Sequence, residues 1–347
     1  MKKSASHVNY LTFCNVAACI AVLMLHTNEC FWTFSAEERY WRTANIIECI
    51  FYFAVPVFFM ISGITLMDFY DRNSLKEYFL KRIRKTGIPF LCWSVIGLVW
   101  GLFRGYIPFS ELSLKYIYQG ITGTTIVTLY WFFTPLFIIY LSMPLFAAVE
   151  KSKRKTVFSY LAIAGVILNS LIPFVNTLFG SDLNTPLNIP AVSGALIWPV
   201  IGWLLHNFEF EKRQKSVIYM LSLAGLMMHL IGTYVLSMEA GEIISTYKGY
   251  QNIPCILYSA GVFVFLKETG KKIMNYPVLS GAVSKIGQYT FSIYLMQFIF
   301  LQITPSILGL DKTSLLYRLG APVLMIPAMI LITWCMRKVP VIRRIVP

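Results

Sequence analysis

The sequence predicts an all-α protein, a polytopic transmembrane bundle of about ten helices with both termini cytoplasmic. Three observations predict it. Apolar runs of roughly membrane-crossing length recur from end to end. The chain is 57% hydrophobic and only 13% charged, about half the charge of an ordinary soluble domain. Its cations alternate between loops as membrane topology demands.

About 20 apolar residues are needed to cross the hydrocarbon as a helix. The segments that approach this lie at 8–27, 46–67, 87–103, 130–149, 156–175, 191–206, 216–237, 252–267, 286–307 and 317–336. The sixth is short, and the ninth carries interior polar residues. Continuous rather than alternating hydrophobicity argues against a transmembrane barrel. The first segment follows Lys2 and Lys3 with no small-residue cleavage site after it, so it is expected to be a retained helix and not a removed leader. Even spacing of the runs predicts one domain over 1–347.

Loop charge tests this count. With the N-terminus inside, 23 of the 30 lysines and arginines fall in inside loops: Lys2 and Lys3, then 72–85, 151–155, 212–215, 267–285 and 337–344. The seven outside are Arg39, Arg42, Arg104, Lys115, Lys248, Lys312 and Arg318. A missed crossing in the middle would scramble the pattern. The net charge of +14 then reflects topology and anionic membrane lipid, with no nucleic-acid partner. The seven cysteines lack metal-like or framework spacing, although Cys30 and Cys49 could meet on one side of the membrane.

Three clusters carry possible chemistry. His26 ends the first apolar run, at its outer end, with Glu29 three residues on. Glu48 begins the next segment and lies at a similar depth. Imidazole serves as a general base near neutral pH, and a carboxylate can orient it. The plain alternative is an interfacial His and Glu in contact with water and headgroups. His7 and His206 fall near the inner surface, and His229 lies inside the seventh segment, where a structural or interhelical hydrogen-bond role is expected. The second cluster, Lys81, Arg82, Arg84 and Lys85, is a dense cationic patch suited to phosphate; positive-inside decoration would look the same. The third is AVPVFFMISGITL, where Pro56 should kink the helix and Ser62 and Gly63 permit close approach. There is no glycine-rich phosphate loop, paired-histidine metal motif or Gly-x-Ser-x-Gly elbow.

Together these stretches resemble the acyltransferase-3 family of integral membrane O-acyltransferases, of the surface polysaccharide type. The resemblance rests on NYLTFCNVAACIAVLMLH, on VPVFFMISG followed by FLKRIRKTGIPFLCW, and on LYWFFTPLFIIYLSMPL and KIGQYTFSIYLMQFIF, in order along nearly the whole chain. It implies transfer of an acyl group, usually acetyl from the co-substrate acetyl-CoA, to a hydroxyl of an extracytoplasmic glycan or glycolipid, with no bound cofactor. By position, His26 matches the family's essential histidine and Arg82 the first arginine of its basic motif. Asn15 stands where an arginine is usual, Lys85 at the second basic-motif arginine, and Gln297 where a histidine is frequent. Lys81, Arg82, Arg84 and Lys85 are expected to take the CoA phosphates, and Glu48, or else Glu29, to orient His26. Asn15, Glu29, Trp131, Tyr294 and Gln297 are candidates for substrate contact. Trp131, Tyr130 and Tyr294 could stack on a sugar or line the acyl path, and Ser62, Tyr294 or Gln297 could donate to an oxyanion. A glycan or lipid-linked sugar exporter on the same scaffold is the alternative from another class, and a sensor or scaffold subunit a third.

Overall fold

The computed structural model describes residues 9–180 and 187–346. Lys2, Lys3 and His7 lie outside the described residues. Those described are almost entirely helical, without strands, and nine helical stretches among them are long and apolar enough to cross a membrane. The first is α1 (Asn9–Thr27). It packs against α2 (Arg39–Phe51), α3 (Ala54–Leu66), α12 (Ile253–Ile273), α13 (Pro277–Gly287), α14 (Thr290–Leu308) and α15 (Leu315–Met336). A helix surrounded on so many sides turns its polar residues into the protein, where they must find partners.

Proline sets the irregularities. A proline ring clashes with the carbonyl four residues earlier. For Pro56 that residue is Tyr52, and the second crossing breaks there, between α2 and α3. The third crossing runs from α4 (Leu75–Arg82) through a π-helical turn at Ile83–Gly87 into α5 (Ile88–Phe103), with Pro89 just inside α5. The fifth repeats the pattern: α8 (Lys151–Val166), a π turn at Ile167–Leu171, then α9 (Ile172–Phe179) with Pro173. In each case the missing proline N–H and the ring clash displace the ordinary helical ladder. Between α5 and α8 lie the short α6 (Leu114–Thr122) and the crossing α7 (Phe133–Ala147).

The sixth expected segment differs most from a simple span. Its helix, α10 (Ile197–Asn207), has only 11 residues and is preceded by two 3-10 turns, with Pro190, a left-handed Gly194 and Pro199 preventing a longer helix. Asn169 of the π turn pairs with the preceding leg, donating to the Ile189 carbonyl and accepting from its N–H, both at 3.0 Å. Non-helical backbone at membrane depth needs such internal partners. At its other end Lys267, fully buried on α12, donates to the carbonyls of Leu205, His206 and Phe208 at 2.9–3.0 Å, capping the orphan acceptors of the helix terminus. Phe174 of α9 meets Tyr247 at the end of the bundle where α11 (Lys212–Ala240) finishes. The leg and α10 therefore carry the chain to the end where α11 begins, although α10 is too short to count among the nine helices that could cross a membrane alone.

α10 is held by glycine. A Cβ on Gly63 would sit 2.2 Å from the Pro199 carbonyl oxygen, and one on Gly202 2.5 Å from the Met60 Cα. Both obstacles are backbone. Gly63→Ala is expected to cost about 1–3 kcal/mol or more, read as a lower melting temperature in detergent; an unchanged melt would show that the two helices can separate freely.

Arg154 plays the corresponding part for α7. It donates to Ala147 and Val149 carbonyls at 2.8 Å and to Asp68 at 2.5 Å. Cys30 and Cys49 are free thiols, as are the other five cysteines. His229 is buried, but neither ring nitrogen has a hydrogen-bond partner, and it packs edge-on against Tyr52 at 4.8 Å. Of the two roles expected of it, the interhelical hydrogen bond is not formed and the ring serves in packing.

Candidate functional site

Because α1 is central, the spacing of Asn15, Val22 and His26, two turns and then one, presents them to a common interior space. A cavity of about 670 Å³ lies against this face, within the range of small-molecule sites. It is elongated along the bundle. One end is lined by His26, Trp32, Glu48, Trp131 and Tyr250, the other by Asn15, Thr86, Tyr140 and Thr290. Thr86 belongs to the π turn that carries Arg84 and Lys85, so the cavity reaches from the basic segment to the histidine.

His26 Nδ1 is 3.0 Å from Gln297 Oε1. An amide oxygen can only accept, so the ring donates from Nδ1 and leaves the Nε2 lone pair free. That is the tautomer a general base needs. Gln297 is buried, and its Nε2 has no partner. The expectation that Glu48 orients the imidazole is therefore corrected: the residue hydrogen-bonded to the ring is Gln297, from α14. Glu48 lines the same cavity, but its partner is Lys248, a residue assigned above to an outside loop. Both side chains are buried, and Lys248 Nζ also faces the rings of Tyr52, Phe31 and Trp32 at 4.0, 4.9 and 5.1 Å. Glu29 is exposed, 3.4 Å from Lys312, and does not line the cavity.

The remaining candidates divide. Asn15 lines the cavity and donates to Thr290 Oγ1 at 2.7 Å. Tyr294 lines it too, with its hydroxyl committed to the Leu129 carbonyl at 2.5 Å. Tyr130 is buried behind the wall, donating to the Leu295 carbonyl at 2.5 Å. Ser62 lines the cavity, but its hydroxyl donates to Phe58 O. Of the three oxyanion candidates, only Gln297 keeps an uncommitted donor, but it is buried and does not line the cavity, so the substrate contact expected of it is not formed there. Trp131 stacks on Tyr250 with centroids 5.5 Å apart, and Tyr250 lies parallel to Tyr52 at 4.4 Å. Burial pushes the Tyr250 phenol well above its ordinary range, with Glu48 adding to the effect, so it remains a neutral hydrogen-bonding group.

The four-residue basic patch is also redistributed. Lys81 and Arg82 line a second, polar cavity of about 210 Å³ together with Arg72. Arg84 and Lys85 are exposed on the π turn, away from both cavities. A helix face admits residues three or four apart, and the widened turn rotates the last two off it. The Arg82 guanidinium lies over the rings of Tyr78 and Tyr140 at 5.8 and 5.5 Å, and its Nε is buried without a partner. Tyr140 lines the long cavity while Tyr78 and Arg82 line the small one. Those three side chains form the partition between the two.

A family model for the acyltransferase domain matches residues 8–337. The chain belongs to the acyltransferase-3 family. It is a multi-pass membrane acyltransferase, and the cavity joining His26 to the basic segment is the candidate active site of that enzyme. No curated protein and no solved structure matches the chain.

Sequence reasoning missed Lys248, Tyr250, Tyr52, Trp32 and Arg72. A weak signal was present: Lys248 sits in TYKGY, a lone cation between aromatic residues in an otherwise polar loop. Nothing local connected it to Glu48.

Proposed function

We propose that the protein moves an acyl group, acetyl in the simplest case, from cytoplasmic acyl-CoA to a hydroxyl of an extracytoplasmic glycan or glycolipid. The observation that carries this reading is the cavity extending from Thr86 and Tyr140 to His26. The concentration of cations in alternate loops supports a cytoplasmic basic end and cytoplasmic termini. CoA phosphates bind at Arg72, Lys81 and Arg82 in the small polar cavity. The pantetheine arm passes Tyr140 into the long cavity, so the thioester reaches His26 while the nucleotide stays inside.

The chemistry is ordinary acyl transfer. His26 Nε2 takes the proton of the acceptor hydroxyl as its oxygen attacks the thioester carbonyl. The carbonyl oxygen gains negative charge as the bond forms, while Gln297, buried and outside the cavity lining, acts through the imidazole it holds. The C–S bond then breaks, the ester C–O bond remains, and the departing thiolate takes the proton from the imidazolium. The stacked rings of Trp131 and Tyr250 at the outer end offer a face for a sugar.

The test is label transfer from radiolabelled acetyl-CoA to envelope glycan in membranes containing the protein. Wild type is expected to transfer label. Arg82→Glu is expected to lose transfer at low acetyl-CoA and to weaken CoA binding by about tenfold or more. Failure of wild-type membranes to transfer any acyl group, with acceptor present, would overturn the reading.

A further inference from the structure

We propose that Glu48, ion-paired with Lys248, is the acceptor-specificity residue, and that it selects an uncharged pyranose that offers it a second free hydroxyl. This rests on the acyl-transfer reading above and concerns the acceptor end of that site.

Among the described residues, no lysine or arginine lines the long cavity, and Glu48 is the one carboxylate that does. Lys248 does not reach the cavity wall. Its Nζ is taken up by Glu48 and enclosed by three aromatic rings. A buried ion pair is a poor stability device, because packed apolar side chains often do as well or better. What this pair supplies that an apolar pair would not is a carboxylate presented to the cavity, with its counter-charge set behind it.

Glu48 shares the outer end with His26, whose Nε2 is also a hydrogen-bond acceptor. Two acceptors lining one cavity suit a sugar with two free hydroxyls: one is deprotonated by His26 and the other donates to Glu48. Tyr52, Tyr250 and Trp131 form a stacked run along the same end, with interplanar angles of 3° and 19°. The outer face of Trp131, at the exposed end of this run, offers the flat apolar surface that the C–H face of a pyranose covers. An acidic sugar would bring its charge towards a carboxylate with no lining cation to offset it, and like-charge contact is a strong means of rejecting a wrong partner.

The test uses the purified full-length chain in detergent, with Trp32 and Trp131 as intrinsic fluorophores at the mouth. It is titrated with methyl glucoside, galactoside and mannoside and with the corresponding methyl uronosides. At least one neutral glycoside is expected to quench saturably, and its uronoside to bind about tenfold more weakly or worse. The Glu48→Gln/Lys248→Met double variant removes both charges without stranding either. It is expected to bring the two affinities to within about threefold. Uronosides binding as well as neutral sugars, discrimination surviving in the double variant, or no saturable binding by any glycoside would each overturn the proposal. Labelled acyl transfer is measured on the same preparation. Transfer without sugar discrimination overturns this inference alone, whereas discrimination without transfer from any acyl-CoA overturns the reading on which it rests.

Discussion

Replacing His26 with alanine is expected to lower acyl transfer by about 10²–10⁴-fold, the usual worth of a positioned general base, while the protein still folds. The side chain is only partly buried because it faces the cavity, and its one hydrogen bond is to Gln297. Truncation therefore enlarges an existing space without exposing the bundle core. Gln297→Leu should fall between wild type and His26→Ala. It keeps the imidazole but removes the acceptor that holds the proton on Nδ1, so part of the population presents the wrong nitrogen. The turnover number for labelled acetyl transfer, with melting temperature as a control, separates the three proteins. Equal turnover by wild type and His26→Ala would remove the histidine from the mechanism. Equal turnover by wild type and Gln297→Leu would remove the tautomer role.

The second large effect concerns stability. Lys248→Met strands the Glu48 carboxylate, and Glu48→Gln strands the Lys248 ammonium. The side chains in this pair are 6% and 4% exposed. Removing one partner of such a pair costs about 3–5 kcal/mol, whereas removing both is frequently neutral. Each single variant should thus melt several degrees below wild type in detergent, and the double variant should recover most of the loss. The four proteins form a double-mutant cycle whose coupling term reports the pair directly. Single variants that melt with wild type would mean that water reaches the pair from the cavity and that the charges are not desolvated. The cycle also secures the sugar-binding test, because the double variant is the one expected to remain folded.

Much of the candidate site was legible as two ends without a middle. His26 stood out because an ionisable group at the end of an apolar run is costly and so asks for a reason. Arg82 stood out in a dense cluster at the opposite side by topology. What joined them was a family resemblance, and the cavity between them is a product of packing. Cations counted as loop decoration proved to be of different kinds. Arg154 and Lys267 are buried caps on α7 and α10, while Arg84 and Lys85 remain exposed. Charge count cannot separate these uses, because a residue's depth depends on which helix end lies beside it. Glu29 was drawn towards the site by its nearness to His26 in sequence. The 3-10 turn that begins at Glu29 turns it towards Lys312 instead.

By itself the sequence determined the class: an all-helical membrane bundle, the break near Pro56 and the histidine at a helix end. These follow from local hydropathy and backbone chemistry, which act over one or two turns. Tertiary structure alone decided the partners. His26 meets Gln297 across 271 residues and Glu48 meets Lys248 across 200. Such meetings depend on how each helix is rotated about its axis and on how closely neighbours approach, as at Gly63 and Pro199. Rotation and approach are set by the sum of many packing contacts along whole helices, so no short stretch of sequence encodes them.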